Sequence, residues 1–176
     1  MPQYRRARIE GGWFFFTLTL ADRSTDLLVR HIDRLRKAYA IALRRYPFET
    51  IATCVLPDHL HAIWVLPHDD DDFSRRWSLI KSEFSRGLPA NFDRSPSKLR
   101  KREKGIWQRR FWEHAIRDDR DLSRHIEYIH FNPVKHGYVS RTCDWPHSSF
   151  HRYVARGHLP LDWGGDTREL IGSFGE

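Results

Sequence analysis

The chain has 176 residues, and its 30 Lys and Arg outnumber its 23 Asp and Glu to give a formal net charge of +7. Its 40% hydrophobic and 14% aromatic residues exclude a disordered chain, its apolar runs are too short for a bilayer span, and its two cysteines are too few for a disulfide scaffold. The sequence therefore predicts a soluble, cytoplasmic protein whose basic surface favours a polyanion, nucleic acid above all, as its partner.

The first part of the chain predicts a strand, a helix and a hairpin. Residues 13–20 are aromatic and β-branched, which is typical of a short strand. Apolar side chains then recur at helical spacing over about residues 25–45. Residues 50–56 and 59–66 predict two further strands, and the turn signal at Pro57 between them indicates a hairpin.

An acidic run of four Asp, residues 69–72, follows the hairpin and has two readings. Adjacent carboxylates are compatible with a metal cluster, but Asp is also common at the start of a helix, where it offsets the helix dipole. The next residues carry Phe73, Trp77, Ile80 and Phe84 at helical spacing. We therefore interpret the run as the start of a helix.

The remaining elements complete a recognisable order. Residues 88–110 read as irregular, 111–117 as a short strand, and 119–136 as a helix capped by Asp118. The order is thus β-α-β-β-α-β with one more helix behind it, which is typical of an α+β, ferredoxin-like antiparallel sheet. We expect a single domain over residues 1–176, with a core at about 13–139 and an irregular tail, 140–176, packed on it.

The pair His59 and His61 is a candidate metal site. On a strand, residues two apart point to the same face, so both imidazoles would project side by side. Two neutral imidazoles on one face are a good start on a metal site. The alternative is two polar residues on the exposed face of an antiparallel strand.

The pair Tyr128 and Asn132 is the second candidate, because residues four apart are neighbours on a helix surface. A metal ion held by His59, His61 and Asn132 would keep positions open for a phosphate oxygen and polarise the phosphorus. Tyr128 would then be within reach as a nucleophile. The alternative is a buried Tyr ring and an Asn that bonds the carbonyl freed by Pro133.

Three segments resemble the REP-associated tyrosine transposases, a branch of the single-tyrosine HUH transposase superfamily. They are LPDHLHAIWVLP at 56–67, WQRRFWEHAIRDDRDLSRHIEYIHFNPVKHGYV at 107–139 and DWPHSSFHRYV at 144–154. The resemblance runs from about Trp13 to Val154. By this resemblance His59 and His61 match the HUH metal ligands, Tyr128 matches the nucleophile, and Asn132 matches the third metal ligand.

The resemblance also implies an activity and its partners. It implies Mg²⁺- or Mn²⁺-dependent cleavage and rejoining of single-stranded DNA through a 5′-phosphotyrosine intermediate. It implies recognition of hairpins formed by repetitive extragenic palindromes, in a protein associated with the nucleoid when bound to DNA. We expect a monomer with no membrane partner, although related insertion-sequence enzymes often act as dimers.

Cations and aromatic side chains together predict the DNA-binding surface, since phosphates attract cations and bases stack on aromatic faces. Most of these residues lie in the basic run after residue 97, where Trp107 is the candidate for stacking, and Phe111 and Trp112 follow. Burial in the core is the alternative for Trp107 and for Trp112. The predicted DNA contacts are Lys81, Arg86, Lys98, Arg100, Lys101, Arg102, Lys104, Trp107, Arg109, Arg110 and Lys135. The alternative is a solvated basic loop.

Two other functions remain open at this point. One is a domesticated, non-catalytic protein that only binds palindromic DNA. The other is a zinc or manganese hydrolase that acts on another phosphoester with water as the nucleophile, and therefore forms no covalent adduct.

Overall fold

A four-stranded antiparallel sheet forms the centre of the protein. The structure, a computed structural model, describes residues 8–90 and 94–164. The strands are β1 Trp13–Thr19, β2 Glu49–Val55, β3 His59–Val65 and β4 Trp112–Ala115. They lie in the order β2-β3-β1-β4, and every neighbouring pair is antiparallel. The α+β, ferredoxin-like fold class predicted from the sequence is confirmed.

Helices pack around this sheet. None of them, within residues 8–90 and 94–164, is long and apolar enough to cross a membrane. The helices are α1 Leu27–Arg30, α2 Ile32–Arg45, α3 Phe73–Ser85, α4 Pro96–Arg100, α5 Asp119–Lys135 and α6 Phe150–Ala155, with a 3-10 helix at Thr142–Asp144.

Three helical segments differ from the prediction. The helix predicted over about 25–45 is interrupted at His31, where φ of −113° and ψ of 35° separate α1 from α2. The stretch predicted as irregular contains α4, which begins at Pro96 because the fixed φ of proline suits a first helical turn. The tail contains the 3-10 helix and α6, and the buried Phe150 anchors α6 to the domain.

Side chains of the sheet alternate between two cores, because successive strand residues point to opposite faces. On one face, Phe16 and Trp64 pack against α2 and α3, and the Trp64 and Trp77 rings are stacked with centroids 3.9 Å apart. On the other face, Phe15 packs with Tyr128 of α5. The sheet is therefore covered on both faces. Helices α2 and α3 cover the first face, and α5, which carries Tyr128, covers the second.

The acidic run starts α3, as predicted. The side chain of Asp72 accepts a hydrogen bond from a backbone amide of the first turn. The buried guanidinium of Arg76 donates to both carboxylate oxygens of Asp70, at 3.0 and 2.7 Å, and to the carbonyl oxygens of Tyr46 and Pro47 at 3.1 and 2.8 Å. Arg76 thus joins the start of α3 to the connection between α2 and β2.

Replacing Arg76 tests this junction. We expect Arg76→Met to lower the free energy of unfolding by about 3 kcal/mol, because it removes the buried donor to a carboxylate and to three carbonyl oxygens, those of Tyr46, Pro47 and Asp72. The hydrogen bonds from Arg76 lower the pKa of Asp70. A lowered pKa gives stability that is complete above the ordinary carboxyl pKa, so the difference should shrink as the pH falls below that value and through the lowered pKa of Asp70.

Urea denaturation of both proteins at neutral and acidic pH measures the effect. The exposed neighbour Arg75 provides the control, since Arg75→Met removes the same charge from the surface. Equal losses of stability in the two variants would contradict the role given to Arg76.

Candidate active site

The sheet face covered by α5 carries the two predicted histidine ligands. In the pairing of β1 with β3, Thr17 lies opposite His61 and Thr19 lies opposite His59. His59 and His61 are 1% and 0% exposed, with ring centroids 5.0 Å apart. The alternative of two polar residues on an exposed strand face is therefore wrong.

Hydrogen bonds fix the orientation of both rings. His61 Nδ1 is 2.9 Å from Thr17 Oγ1, and His59 Nδ1 is 2.7 Å from Asp58 Oδ1. The Asp58 carboxylate accepts a further hydrogen bond from Arg23 Nε at 2.7 Å. Burial raises the pKa of Asp58, but the hydrogen bonds from His59 and Arg23 outweigh it and bring the pKa to about 2.

The charge on Asp58 determines the tautomer of His59. An ionised carboxylate only accepts hydrogen bonds, so the neutral form of His59 carries its proton on Nδ1 and its lone pair on Nε2. A carboxylate behind an imidazole in this way is the usual outer-shell partner of a metal-binding histidine. The arrangement suits His59 to bind a cation through Nε2.

Helix α5 places the other two predicted residues above the histidines. The Tyr128 ring lies 5.2 Å from the His61 ring, and the His136 ring at the end of the helix lies 5.1 Å from the His59 ring. Asn132 is one turn after Tyr128 and one turn before His136, and it is fully buried. The structure therefore brings Tyr128 and the histidine pair together, with Asn132 on the same helix face.

The donor set fits a divalent cation. His59 Nε2, His61 Nε2 and Asn132 Oδ1 are all buried side-chain atoms. Two imidazole nitrogens with one amide oxygen suit Mn²⁺, whereas Mg²⁺ prefers oxygen ligands and would depend more on phosphate and water. These three residues are thus chemically suitable to hold either ion.

Lys135 lies against the phenol of Tyr128. Its Nζ donates a hydrogen bond to Tyr128 Oη at 3.3 Å and lies 4.8 Å from the centroid of the ring. The sequence predicted Lys135 only as a DNA contact. A positive charge at this distance favours the ionised form of a phenol.

A second group of potential metal ligands lies one turn before Tyr128, and the sequence analysis did not single it out. Ligand atoms of His114, Asp121 and His125 lie within 4.8 Å of one another. Asp121 Oδ2 is 2.8 Å from His114 Nε2, and His125 Nδ1 donates to the Asp121 carbonyl oxygen at 2.7 Å. Because these atoms are already hydrogen-bonded, we interpret the group as a structural junction between β4 and the start of α5.

Six predicted DNA-contacting cations line one cleft of about 570 Å³ between α3 and residues 101–111. Serine hydroxyls of α3 share the lining. The backbone at Gln108 donates to the Thr19 carbonyl oxygen at 3.0 Å, so the cleft adjoins the end of β1 that lies opposite His59. The six cations are Lys81, Arg86, Lys101, Arg102, Lys104 and Arg109.

Several of these cations already have internal partners. Lys81 donates to the Gln108 carbonyl oxygen and Lys104 to the Leu88 carbonyl oxygen, both at 2.6 Å. Arg86 and Arg109 form ion pairs with Glu83 and Glu103, at 2.7 and 3.0 Å. The remaining predicted cations of this region are exposed or half-buried: Lys98, Arg100, Lys101, Arg102 and Arg110.

Trp107, the predicted base-stacking residue, lines the basic cleft but is largely buried. Trp107 is 7% exposed and packs edge-on against Phe84 with ring centroids 5.4 Å apart. Its bridge to Leu20 draws it into the core. Little of its surface is therefore exposed, and stacking of Trp107 on a base stays a prediction that its burial does not favour.

Comparison with known proteins places the chain in a family, although no protein-family model matches it. It is 47% identical over 170 residues to the REP-associated tyrosine transposase of Escherichia coli, covering 97% of this chain and 95% of that protein. A Haemophilus influenzae protein named for the same family is 50% identical over 169 residues, covering 94% of this chain and 95% of its own.

A solved structure of a REP-associated tyrosine transposase bound to a REP hairpin is also similar. It is 46% identical and superposes with a TM-score of 0.86, covering 100% of this chain and 98% of that one. Sequence and fold thus agree over almost the whole length. The chain belongs to the REP-associated tyrosine transposases.

Proposed function

We propose that the protein binds hairpin DNA formed by palindromic repeats and cleaves and rejoins the adjoining single strand with Tyr128 as the nucleophile. The observation that carries this proposal is the packing of Tyr128 against His61 with Lys135 on its phenol oxygen. The family name and the hairpin bound to the similar solved structure support it.

His59, His61 and Asn132 would hold the metal ion, Mg²⁺ or Mn²⁺. When bound, such an ion polarises a phosphate oxygen and offsets the charge that develops at phosphorus. Asp58 keeps the lone pair of His59 on Nε2, and Thr17 orients His61. These two residues act through the histidines rather than on the substrate.

Tyr128 would attack the phosphorus of a phosphodiester. Its oxygen loses the phenol proton and forms a bond to phosphorus, while the bond to the 3′ oxygen breaks and that oxygen leaves as a 3′-hydroxyl. The result is a 5′-phosphotyrosine that preserves one phosphoester bond for each bond broken. Attack by a 3′-hydroxyl reverses the step and rejoins the strand without a nucleoside triphosphate.

Lys135 would stabilise the phenolate that this step requires. Only about a thousandth of an unperturbed tyrosine is ionised at pH 7, so a positive charge near the oxygen increases the reactive fraction. Lys135 is exposed at the end of α5 while Tyr128 is buried. Its contact with the phenol oxygen thus joins the buried nucleophile to the protein surface.

The covalent intermediate provides the main test. With Mn²⁺ and a labelled single-stranded DNA hairpin, the wild-type protein should form an adduct stable to denaturing electrophoresis. Tyr128→Phe should bind the hairpin and form none, because the ring still fills its place in the core. Tyr138→Phe is the matched control, since Tyr138 lies beyond α5 with 43% exposure.

The outcomes separate the competing functions. A normal adduct in Tyr128→Phe would contradict the assignment of the nucleophile. Hairpin binding without cleavage by the wild-type protein would favour the non-catalytic DNA-binding protein. Cleavage without an adduct would favour hydrolysis by water.

Two substitutions distinguish the candidate metal site from the second group of ligands. Asp58→Asn should weaken Mn²⁺ binding by about 10- to 100-fold, because loss of an outer-shell carboxylate lowers the affinity of the histidine it orients. His114→Gln should leave Mn²⁺ affinity unchanged. Titration followed by the electron paramagnetic resonance of free Mn²⁺ measures both, and the reverse pattern would assign the ion to His114, Asp121 and His125.

Replacing Lys135 separates a role at the phenol from a role in DNA binding. With saturating hairpin, Lys135→Met should slow adduct formation at pH 7 by about tenfold or more and move the pH profile of the rate upwards. Lys135→Arg should retain most of the rate. Weaker hairpin binding with an unchanged rate at saturation would return Lys135 to the role of a simple phosphate contact.

A further inference from the structure

We infer that Trp112 is the stacking platform for a base of the single strand next to the phosphate attacked by Tyr128. This inference rests on the proposed function and adds to it a residue outside the predicted DNA contacts. The ligand assigned to Trp112 is a single nucleobase, which can be any of the four bases.

The pairing of three strands places Trp112 beside the histidines. Trp112 of β4 lies opposite Thr17 of β1, and Thr17 lies opposite His61 of β3. Cross-strand partners project to the same face, so all three side chains belong to the face covered by α5. With strands about 4.8 Å apart, the backbone of Trp112 lies roughly 10 Å from that of His61.

The indole of Trp112 is open to solvent on this face. Trp112 is 44% exposed, whereas Trp64 and Trp77 are fully buried and Trp107 is 7% exposed. Helix α5 packs on β2 and β3, and β4 is the edge strand beyond β1. The start of the helix contacts β4 at His114, whereas Trp112, two residues earlier on the same strand face, stays accessible to a nucleotide.

The surroundings of Trp112 suit single-stranded DNA. Arg109 and Arg110 precede it and are exposed. Arg109 also lines the basic cleft, which lies against α3 on the other face of the sheet, so a strand that leaves the cleft would pass the β4 edge to reach Trp112. Cations for the phosphates and an aromatic face for a base thus follow one another along the chain at this edge of the sheet. This combination is the recurring form of a single-strand site, and it tolerates any sequence because every base has a stacking face.

Two DNA probes test the platform by fluorescence anisotropy: a synthetic hairpin with single-stranded flanks of four thymidines, and the same hairpin with blunt ends. Trp112→Ala should weaken binding of the flanked hairpin by about 5- to 100-fold, the value of stacking one base, and leave the blunt hairpin unaffected. Trp112→Phe should restore most of the affinity. Trp13→Ala is the matched control, since Trp13 lies on the same sheet face with 39% exposure but at the far end of β1.

A scan with abasic residues locates the base. In the wild-type protein, removing one base from the flank should lower affinity at a single position. In Trp112→Ala that position should lose its effect, because the base has no partner left to lose. Identical abasic profiles in the two proteins, equal losses on blunt and flanked hairpins, or no preference of the wild-type protein for the flanked hairpin would each overturn the inference.

The adduct assay separates failure of this inference from failure of the proposed function. If the wild-type protein forms no adduct but its abasic profile depends on Trp112, the platform stands and the proposed chemistry fails. If the adduct forms and the abasic profile ignores Trp112, the chemistry stands and the platform fails.

Discussion

The register between β1 and β3 determines where the reactive side chains lie. Leu60, Ala62 and Trp64 must face α2 and α3 to fill the larger core, so the alternate residues His59, His61 and Ile63 must face α5. A slip of one residue would bury Trp64 against α5 and turn the histidines into the other core. Burial of a large apolar core therefore also stabilises the position of two polar rings.

Helix α5 is likewise positioned by contacts that lie away from the reactive side chains. Its first turn is held to β4 by the hydrogen bonds of Asp121 with His114, and its N-cap is the side chain of Asp118. With that end fixed, the helical repeat brings Tyr128 over His61 and His136 beside His59. The nucleophile proposed for the reaction is thus positioned by packing along the whole helix.

The sequence predicted the elements whose patterns are local and regular. The strands, α3 and α5 repeat with clear periods, and the spacing of His59 with His61 and of Tyr128 with Asn132 follows from those periods. Sequence periodicity did not predict the break at His31 or the short helices α4 and α6, because these features depend on a few residues and on tertiary contacts. Lys135 was predicted to bind phosphate because it lies near the end of the helix, and its seven-residue separation from Tyr128 indicates a shared face but does not predict their contact.

The burial of Trp107 and the exposure of Trp112 likewise could not be predicted from local sequence patterns. Trp107 is buried through its long-range bridge to Leu20, and Trp112 is exposed because β4 is an edge strand. The same distinction divides the cations. Lys81 of α3 donates a hydrogen bond to the carbonyl oxygen of Gln108, and Lys104 donates one to the carbonyl oxygen of Leu88. These two bonds connect residues 101–111 to α3 and to Leu88, so they shape the cleft before any ligand enters. A preformed cleft loses less conformational entropy on binding. Under the proposed function, exposed cations such as Arg102 and Arg110 therefore provide the salt-dependent attraction for DNA phosphates.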